Sequence, residues 1–348
     1  MKKRVLVTGG MGYIGSHTVV ELVRAGYEVI IADNLSNSKE FILERIEWIA
    51  CSRPQFYKTD LADKDSLQKV FETEAGFDIV IHFAALKAVG ESMQQPLRYY
   101  NNNIVGMLNL LQCMSDHETR NLVFSSSATV YGYPAALPLK ETSPCGKSLS
   151  PYGSTKQMGE EILDKSSGAG LIKSISLRYF NPVGAHVSGL LGELPLGKPN
   201  NLMPFITQAA IGKQNELVIY GNDYNTPDGT CIRDYIHVVD LAIAHVAACK
   251  RLLENNCETP HEIFNIGTGL GYSVMDLIRT FEEVNEIKVP YRFGPRRPGD
   301  APILYADVTK ATTVLEWKAQ KTLGDMVKDA WRWELSLKEQ ETINHSNT

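Results

Sequence analysis

A tyrosine and a lysine stand four residues apart in the segment SPYGSTK, which runs from Ser150 to Lys156. In a helix, positions i and i+4 lie on one face, so the phenol of Tyr152 and the ammonium of Lys156 can reach one pocket. A nearby cation favours the phenolate, and we expect Lys156 to lower the pKa of Tyr152 from its ordinary value of about 10. Such a tyrosine can act as a general base on a substrate hydroxyl. The alternative is an ordinary surface pair, because the Tyr-x-x-x-Lys spacing also arises by chance.

A second group of residues suited to chemistry lies in the segment VLVTGGMGYIGSH, where Gly9, Gly12 and Gly15 separate an apolar run from a helical pattern. Glycines at this spacing let the backbone turn tightly and approach a pyrophosphate at a helix N-terminus. Asp33 ends the next apolar run, where the acid that binds the ribose of a dinucleotide is expected. A carboxylate there accepts from the 2′-hydroxyl of NAD and repels the 2′-phosphate of NADP, so the sequence favours NAD. The alternative is a tight strand-to-helix turn without a ligand.

Asp60 follows a third apolar run, QFYKT. From that strand end its carboxylate can reach the adenine edge of a bound dinucleotide. An acidic residue at this place is also a common helix cap, and the sequence leaves this alternative open.

The elements that must position these residues follow from the apolar periodicity. Short β-branched runs such as RVLVT, EVIIAD and NLVFSSS alternate with amphipathic helical patterns, which indicates a parallel sheet covered by helices on both faces. The predicted fold is therefore α/β, a Rossmann-type doubly wound parallel sheet with a smaller mixed α/β C-terminal domain. We place the NAD-binding domain at 1–181, with return segments near 235–266, and a mainly substrate-binding domain at 182–348, where Gly, Pro and Asn become frequent.

Composition limits the remaining classes. The chain has 348 residues, a formal net charge of -5 and a hydrophobic share of 43%, which favours a globular protein and argues against nucleic acid or an anionic membrane as the main partner. The six cysteines contain no C-x-x-C pair, so neither a zinc site nor a disulfide framework is indicated, and a cytoplasmic location is expected. No apolar run approaches the length of a membrane span. His82 and His237 are interpreted as structural, because no second ligand stands at metal spacing.

The motifs together resemble the extended short-chain dehydrogenase/reductases and, within them, the UDP-glucose 4-epimerase family. The resemblance rests on the segments VTGGMGYIGSH, DNLSNS, IHFAALKAVGES, SSSATVYG, SPYGSTK, RYFNPVGAH, NNLMP, GNDYNTPDGTCIRDYIHV, FNIGTG and RRPGD. It extends from Arg4 to about Trp333 and is more specific than any single motif. It implies an isomerase that binds NAD and interconverts UDP-glucose and UDP-galactose.

The resemblance also implies roles for individual residues. The catalytic residues are Ser127, Tyr152 and Lys156. The cofactor-binding residues are Gly9, Gly12, Tyr13, Ile14, Gly15, Asp33, Asn34, Asn37, Ser38, Asp60, Leu61, Phe83, Ala84, Lys87, Asn102, Ser127, Tyr152, Lys156 and Phe180. The substrate-binding residues are Lys87, Ser127, Tyr152, Asn181, Asn201, Leu202, Val218, Tyr220, Arg233, Arg297, Asp300 and Leu304.

The implied reaction is an oxidation followed by a reduction. Tyr152 takes the proton of the sugar 4-hydroxyl while C4 is oxidised by NAD+, and Lys156 holds the phenol anionic with help from the charge of the cofactor. The 4-keto sugar then rotates about the diphosphate linkage and is reduced on its other face. Such rotation needs a nucleotide that is held firmly and a sugar that is held loosely.

Two rival functions remain at this stage. A nucleotide-sugar dehydratase also oxidises C4, but the dehydratases that this chain resembles carry Asp-Glu directly after the active-site hydroxyl residue, whereas Ser127 is followed by Ala128 and Thr129. A non-catalytic NAD-binding regulator is the other rival, and the intact set of Ser127, Tyr152 and Lys156 argues against it.

The resemblance carries two further expectations. A homodimer is expected through the helix with NNIVGMLNLLQCM and the helix that begins near Tyr152, although Ile104, Leu108 and Leu111 in the first could instead face only the core. Leu304, four residues past Asp300, is expected to set the size of the sugar pocket. A leucine there predicts slower turnover of N-acetylated UDP-sugars beside the main UDP-glucose and UDP-galactose pair.

Overall fold

The structure is a computed structural model that describes residues 2–133, 136–197, 199–297 and 300–346. The strands are β1 Arg4–Thr8, β2 Glu28–Asp33, β3 Gln55–Lys58, β4 Ile79–His82, β5 Asn121–Ser127, β6 Lys173–Tyr179, β7 Asn181–Val183, β8 Leu217–Tyr220, β9 Ile232–Arg233, β10 Tyr235–His237, β11 His261–Ile266, β12 Tyr272–Ser273, β13 Tyr291–Gly294 and β14 Ile303–Leu304. The α-helices are α1 Tyr13–Arg24, α2 Phe41–Ala50, α3 Lys64–Glu74, α4 Val89–Gln94, α5 Pro96–Tyr100, α6 Gly106–Asp116, α7 Pro151–Gly168, α8 Leu202–Ala210, α9 Val238–Leu253, α10 Val274–Asn285, α11 Thr309–Thr313 and α12 Leu323–Ser346. A π-helical turn, Asn101–Val105, joins α5 to α6, and a 3₁₀ turn, Ala128–Tyr131, follows β5.

Seven parallel strands form the large sheet in the order β11-β6-β5-β4-β1-β2-β3. The order reverses direction at β1, as in a doubly wound sheet, and confirms the predicted fold class. The apolar runs recognised in the sequence are these strands, and β4 is buried at every position. Such uninterrupted burial is typical of parallel strands that are covered on both faces.

Two apolar layers separate the sheet from its helices. Val5 and Val7 of β1 pack with α1, α2 and α9 on one face. Leu6 points to the opposite face and packs with α3, α6 and α7. Because alternate strand residues point to opposite faces, one short apolar strand contributes to both layers and fixes the spacing of α1 and α7 relative to each other.

The rest of the chain forms smaller sheets around a separate core. The pairs β7 with β10 and β8 with β13 are parallel, and β9 lies between β12 and β14. Ile206 of α8, Phe281 of α10 and Val327 of α12 meet in the apolar core beside these strands. The predicted boundary near residue 181 falls where the chain leaves β6 in the large sheet for β7 outside it, and β11 returns to that sheet within 235–266. The division into two domains stays a prediction.

The carboxyl ends of β1, β4 and β5 lie side by side in the sheet and carry Thr8, His82 and Ser127. The glycine turn follows β1 at this edge. In doubly wound sheets ligands bind beyond the carboxyl ends of the strands, close to the point where the strand order reverses. The fold therefore directs the search for a site to this edge.

Helices long and apolar enough to cross a membrane are absent from the described part of the chain.

Candidate active site

Ser127, Tyr152 and Lys156 are brought together by β5 and α7. Ser127 is the last residue of β5, and its Oγ accepts from the Thr129 amide at 3.2 Å. Helix α7 begins where the sequence predicts, because Ser150 caps it by accepting from the Gly153 amide at 3.1 Å and Pro151 occupies the first turn. Tyr152 and Lys156 therefore share one helix face, and that face points toward the end of β5.

Contacts join the three side chains into one cluster. The hydroxyl of Ser127 lies close enough to the phenol of Tyr152 to favour the lower pKa of that phenol. Nζ of Lys156 donates to the carbonyl oxygen of Ser125 and lies 5.8 Å from the ring centroid of Tyr152 and 4.8 Å from that of Phe124. Lys156 is only 4% exposed. A lysine held this firmly can stabilise negative charge on a neighbouring oxygen.

The pKa values correct one expectation from the sequence. Burial raises the pKa of Tyr152 to about 12, and the nearby hydroxyl of Ser127 opposes this only in part. Burial also lowers the pKa of Lys156 to about 7. The expected lowering of the pKa of Tyr152 is therefore wrong for the protein by itself, because desolvation of the charged forms outweighs the attraction between the two groups.

The glycine turn has the geometry that a dinucleotide requires. Gly9 has a φ of +73°, and a Cβ there would lie 2.7 Å from the amide nitrogen of Ala84. A Cβ on Gly15 would lie 2.2 Å from the carbonyl oxygen of Gly9. Gly12 precedes α1 without a side-chain cap, and Tyr13 is the first residue of α1. The first-turn amides of α1 can therefore receive a pyrophosphate, and the residues present fit NAD.

Asp33 is buried at the end of β2, as the sequence predicts. Its carboxylate accepts from the amides of Met11 at 3.0 Å and Leu35 at 2.8 Å, and from Oγ of Ser38 at 3.2 Å. Burial raises its pKa, and these hydrogen bonds oppose the shift. Since each oxygen retains acceptor capacity, Asp33 can also bind the ribose diol of a dinucleotide. The hydrogen bond from the Met11 amide fixes the position of the Asp33 carboxylate relative to the glycine turn.

The next residues of the predicted cofactor set lie around Asp60. Asp60 accepts from Nδ2 of Asn34 at 3.0 Å and from the Ala62 amide at 2.9 Å. It is not the cap of α3, since Asp63 takes that role by accepting from the Ser66 amide. The helix-cap alternative for Asp60 is thus wrong.

Three other predicted cofactor residues differ in exposure. Leu61 is buried beneath α6, Asn37 is exposed in the loop after β2, and Ile14 packs on the apolar layer of α1. Their roles in binding the cofactor stay predictions.

Phe83 and Ala84 continue β4 toward the glycine turn, and both of their amides donate to the carbonyl oxygen of Thr8, at 2.9 and 3.1 Å. The Phe83 ring lies 4.7 Å from that of the buried His245. Phe180, 6% exposed, follows β6 and donates its amide to Ile266. These aromatic residues border the space between the glycine turn and Ser127.

Asn102 lies in the π-helical turn and donates to Oδ1 of Asn103 at 2.9 Å. Asn103 also bonds to the backbone of Leu86 and to Oγ1 of Thr155. The π turn, a rare local geometry that is often found at functional sites, therefore ties the loop after β4 to α7. The role of Asn102 in binding the cofactor stays a prediction.

A group of polar side chains lies outside the large sheet. Nη2 of Arg233 is 3.6 Å from Oδ1 of Asp300, and the guanidinium of Arg297 lies 4.1 Å from the ring centroid of Tyr220. Val218 lies two residues before Tyr220 in β8. Guanidinium groups such as those of Arg233 and Arg297 can bind a diphosphate, and a guanidinium or an aromatic ring can stack on a base. Pro298 and Gly299 of the RRPGD segment lie outside the described residues.

Three further predicted substrate residues lie in β7 and at the start of α8. Asn181 donates its amide to the carbonyl oxygen of Asp234 at 2.9 Å. Asn201 precedes α8, and its Nδ2 donates to Oε1 of Glu193 at 2.6 Å. Leu202, the first residue of α8, packs on the core of the smaller sheets. Nζ of Lys87 lies 3.2 Å from the same Glu193 oxygen, so one carboxylate connects a predicted cofactor residue with a predicted substrate residue.

Leu304 lies between a residue of the predicted substrate set, Arg233, and the apolar residues next to the catalytic serine. In β14 it pairs with Arg233 of β9, and its side chain packs against the apolar cluster that contains Ala128 and Phe180. Tyr305 points to the other side, where its ring is 3.6 Å from the place a Cβ on Gly271 would occupy. The alternation of β14 thus directs Leu304, and not Tyr305, toward the residue that follows Ser127.

Sequence reasoning missed Glu193 and Asp234. The fully buried carboxylate of Asp234 accepts from the Thr268, Gly269 and Ala306 amides at 2.7 to 3.2 Å and so fixes the loops around Arg233. The available signal for Asp234 was an acid in the strand-like segment CIRDYIHV, directly after Arg233. Glu193 stands in a Gly- and Pro-rich segment that offers no comparable signal.

The two histidines interpreted as structural are buried. Nδ1 of His82 is 2.8 Å from Oγ1 of Thr8, and burial lowers the pKa of His82 to about 3. His237 caps α9 and lies 3.3 Å from Asp329. Groups of three or more His, Cys, Asp or Glu side chains able to hold a metal are not found among the described residues.

Known proteins match this chain over nearly its whole length. The family model described as GDP-mannose 4,6 dehydratase matches residues 6–330. The UDP-glucose 4-epimerase of Pasteurella multocida (strain Pm70) is 52% identical over 331 residues, which cover 95% of this chain and 97% of that protein.

Two solved structures are also similar. The UDP-glucose-4-epimerase from Stenotrophomonas maltophila with bound NAD and formylated UDP-arabinopyranose has a TM-score of 0.94 at 45% identity, with 97% of this chain and 99% of that one covered. The UDP-glucose 4-epimerase from Bifidobacterium longum in complex with NAD+ and UDP has a TM-score of 0.91 at 46% identity, with 96% and 98% covered.

Proposed function

The chain belongs to the GDP-mannose 4,6 dehydratase family and, within it, to the UDP-glucose 4-epimerases, and from this we propose that it interconverts UDP-glucose and UDP-galactose with NAD as its cofactor. It is an isomerase. The observation that supports this most strongly is the cluster of Ser127, Tyr152 and Lys156 next to a glycine turn that fits NAD. A dehydratase is disfavoured because Ala128 and Thr129, not an acid pair, follow Ser127.

Ser127, Tyr152 and Lys156 have different roles in the proposed reaction. Ser127 and Tyr152 hydrogen-bond the sugar 4-hydroxyl, and Tyr152 takes its proton and later returns it. Lys156 stabilises the phenolate from the same helix face. Bound NAD supplies reversible oxidation at C4 and, in its oxidised form, a positive charge that favours the phenolate. The surrounding burial excludes water from the oxidised sugar.

The substrate set divides into residues for the nucleotide and residues for the sugar. Arg233 and Arg297 bind the diphosphate, and Tyr220 lies beside the base. We place Asn181, Asn201 and Leu202 on the opposite side of the substrate from these arginines. Held in this way at the nucleotide, the oxidised sugar can rotate and present either face for reduction.

The direct test is to incubate the purified chain with UDP-galactose and follow the sugar anomeric protons by NMR. UDP-glucose should form without consumption of added NAD, since the oxidation at C4 is reversed within each turnover. Absence of any UDP-hexose interconversion would support a non-catalytic NAD-binding protein. A 4-keto-6-deoxy product would instead identify a dehydratase.

Leu304 is proposed as the residue that sets sugar size. We expect UDP-GlcNAc and UDP-GalNAc to turn over detectably but more slowly than the main pair, because leucine fills less of the pocket than a restrictive tyrosine and more than a permissive cysteine. Leu304→Tyr should lower kcat/KM for the acetylated pair by about tenfold, the range for bulk in a pocket, with little change for UDP-galactose. Leu270→Tyr, at a side chain 55% exposed, is the matched control. Equal losses for both pairs, or a wild type inactive on acetylated sugars, would exclude this role.

The protein is also proposed to be a cytoplasmic homodimer. All six cysteines are free, as expected in a reducing compartment. The core face of α6 carries Met107 and Leu110, whereas Leu108 is 48% exposed and Met158 of α7 is 43% exposed. Leu108 therefore does not face only the core. Exposed apolar side chains on adjacent helices are typical of subunit interfaces.

Light scattering tests the dimer. The wild type at micromolar concentration should give about twice the chain mass of 38.7 kDa, and Leu108→Arg should shift it to a single chain because a charge enters an apolar interface. Leu270→Arg should leave the mass unchanged. A monomeric wild type would contradict the proposal.

A further inference from the structure

Glu160 is a buried carboxylate directly behind the catalytic pair. It lies four residues after Lys156 and eight after Tyr152 in α7, so the three side chains share one helix face. Glu160 is 7% exposed. A buried carboxylate is costly unless it is paired, and its partners show what it holds in place.

Glu160 connects α7 to both neighbouring strands. Its Oε1 accepts from Oγ of Ser126 at 2.5 Å and from Nε of Arg178 at 2.9 Å, while Oε2 accepts from Nη2 of Arg178 at 2.6 Å. Ser126 precedes Ser127 in β5, and Arg178 belongs to β6. The bonds to Glu160 therefore set the distance between the helix that carries Tyr152 and the strand that ends in Ser127.

Arg178 is itself held on its far side. Its guanidinium lies 4.8 Å from the ring centroid of Tyr131 and donates to the carbonyl oxygen of Glu141 at 3.3 Å and to Sγ of Cys145 at 3.5 Å. Tyr131 belongs to the 3₁₀ turn that follows Ser127. The network thus runs from α7 through β6 to the segment on the other side of the catalytic serine.

The charge of Glu160 acts on Lys156. Burial lowers the pKa of Lys156, and the negative charge of Glu160 opposes that shift. The other titratable groups around this cluster are Tyr152 on α7, His82 on β4, Arg178 and Tyr179 on β6, His261 on β11, Tyr131 in the 3₁₀ turn and Cys145 before α7. Burial raises the pKa values of Tyr152, Tyr179, Tyr131 and Cys145, and it lowers those of His82 and His261. These six are uncharged near neutral pH, so Glu160 supplies the negative charge in this set.

We propose that Glu160 is a positioning residue for the reaction: its carboxylate places a negative charge behind Lys156 and fixes α7 against β5 and β6, with Arg178 as its countercharge. The inference rests on the proposed role of Lys156 in the epimerase reaction. Removing the charge should allow Lys156 to lose its proton at lower pH, and the neutral lysine no longer stabilises the phenolate of Tyr152.

The test is a titration of Lys156 in the NAD-loaded protein, by NMR of ¹³C-lysine Cε and assigned with Lys156→Met. In Glu160→Gln, which keeps the size and an acceptor oxygen, the midpoint should fall by about one pH unit, since an adjacent charge shifts a pKa by about that amount or more. The alkaline limb of the kcat profile should move the same way, giving up to about tenfold lower kcat at pH values above the wild-type midpoint.

Two matched variants distinguish an effect of the Glu160 charge from an effect on the local structure of α7. Glu160→Asp should restore the wild-type midpoint, and Asp164→Asn, at an exposed carboxylate of α7, should not move it. If Glu160→Gln fails to fold because Arg178 is left unpaired, Glu160→Gln is made in an Arg178→Met background and its Lys156 midpoint is compared with that of Arg178→Met alone, so that only the Glu160 charge differs.

The outcomes are distinct. An unchanged midpoint in a folded variant, or a kcat that falls equally at every pH, would overturn the proposal. A shifted midpoint in a protein whose wild type interconverts no UDP-hexose would leave the charge assignment in place and refute the proposed function instead.

Discussion

Tyr152→Phe is expected to lower kcat by about a thousandfold, within the range that general acid and base groups contribute. The variant removes one hydroxyl from a partly buried ring and changes little volume. The glycine turn, Asp33 and the arginine pair keep their contacts, so bound NAD and the affinity for UDP should stay close to wild type. Turnover of UDP-galactose, NAD content after denaturation, and UDP binding by calorimetry measure the three quantities separately.

The matched control is Tyr27→Phe, which removes a phenol just before β2 begins, at the opposite edge of the sheet from Ser127. It should leave kcat unchanged. If Tyr152→Phe also retained wild-type turnover, another group would have to take the proton. If it lost its NAD as well, the defect would lie in the cofactor site and not in proton transfer.

The fold and the pairing of Tyr152 with Lys156 could be predicted because their signals are local, whereas Ser127 was assigned to the cluster only through the family resemblance. Apolar runs such as EVIIAD mark strands that are covered on both faces, and Ser150 followed by Pro151 marks the start of α7. The spacing of Tyr152 and Lys156 then determines that they share a face. Each of these inferences uses residues within one or two turns of chain.

The electrostatics of the same cluster could not be predicted in this way. The pKa of Tyr152 depends on how far β5, β6 and α7 exclude water from the phenol, and those strands are distant in sequence. A spacing rule captures the attraction of a neighbouring cation but not the cost of burying both groups. The expected lowering of the pKa was wrong for this reason.

Partners that are distant in sequence also explain the missed residues. Glu193 meets Lys87 across 106 positions, and Asp234 meets Ala306 across 72. Glu160 meets Arg178 on the adjacent strand, but nothing in the helical pattern of α7 distinguishes it from the exposed Glu161. A carboxylate becomes informative only when the fold shows that it is buried and which groups it binds.

Replacing Gly15 is expected to have the second large effect on activity, because the atoms that surround this residue belong to the backbone. A Cβ at this position would lie 2.2 Å from the carbonyl oxygen of Gly9, 2.9 Å from Cα of Gly10 and 3.0 Å from the carbonyl carbon of Gly9. No side-chain rotation can relieve such contacts. The turn itself must move away from α1, and with it the amides proposed to bind the pyrophosphate.

Gly15→Ala should therefore lose bound NAD and lower turnover by about a hundredfold, as expected when a binding group is displaced by about 1 Å. Excess NAD should restore part of the activity, because the catalytic cluster of Ser127, Tyr152 and Lys156 is unaltered. Gly168→Ala is the matched control: it ends α7 with nothing within 4 Å of its Cβ, and it should stabilise the fold by up to about 1 kcal/mol. Three quantities test this prediction in both variants: the NAD content, the activity as a function of added NAD, and the midpoint of unfolding. A Gly15→Ala protein that keeps its NAD and its turnover would show that the dinucleotide does not bind at this turn.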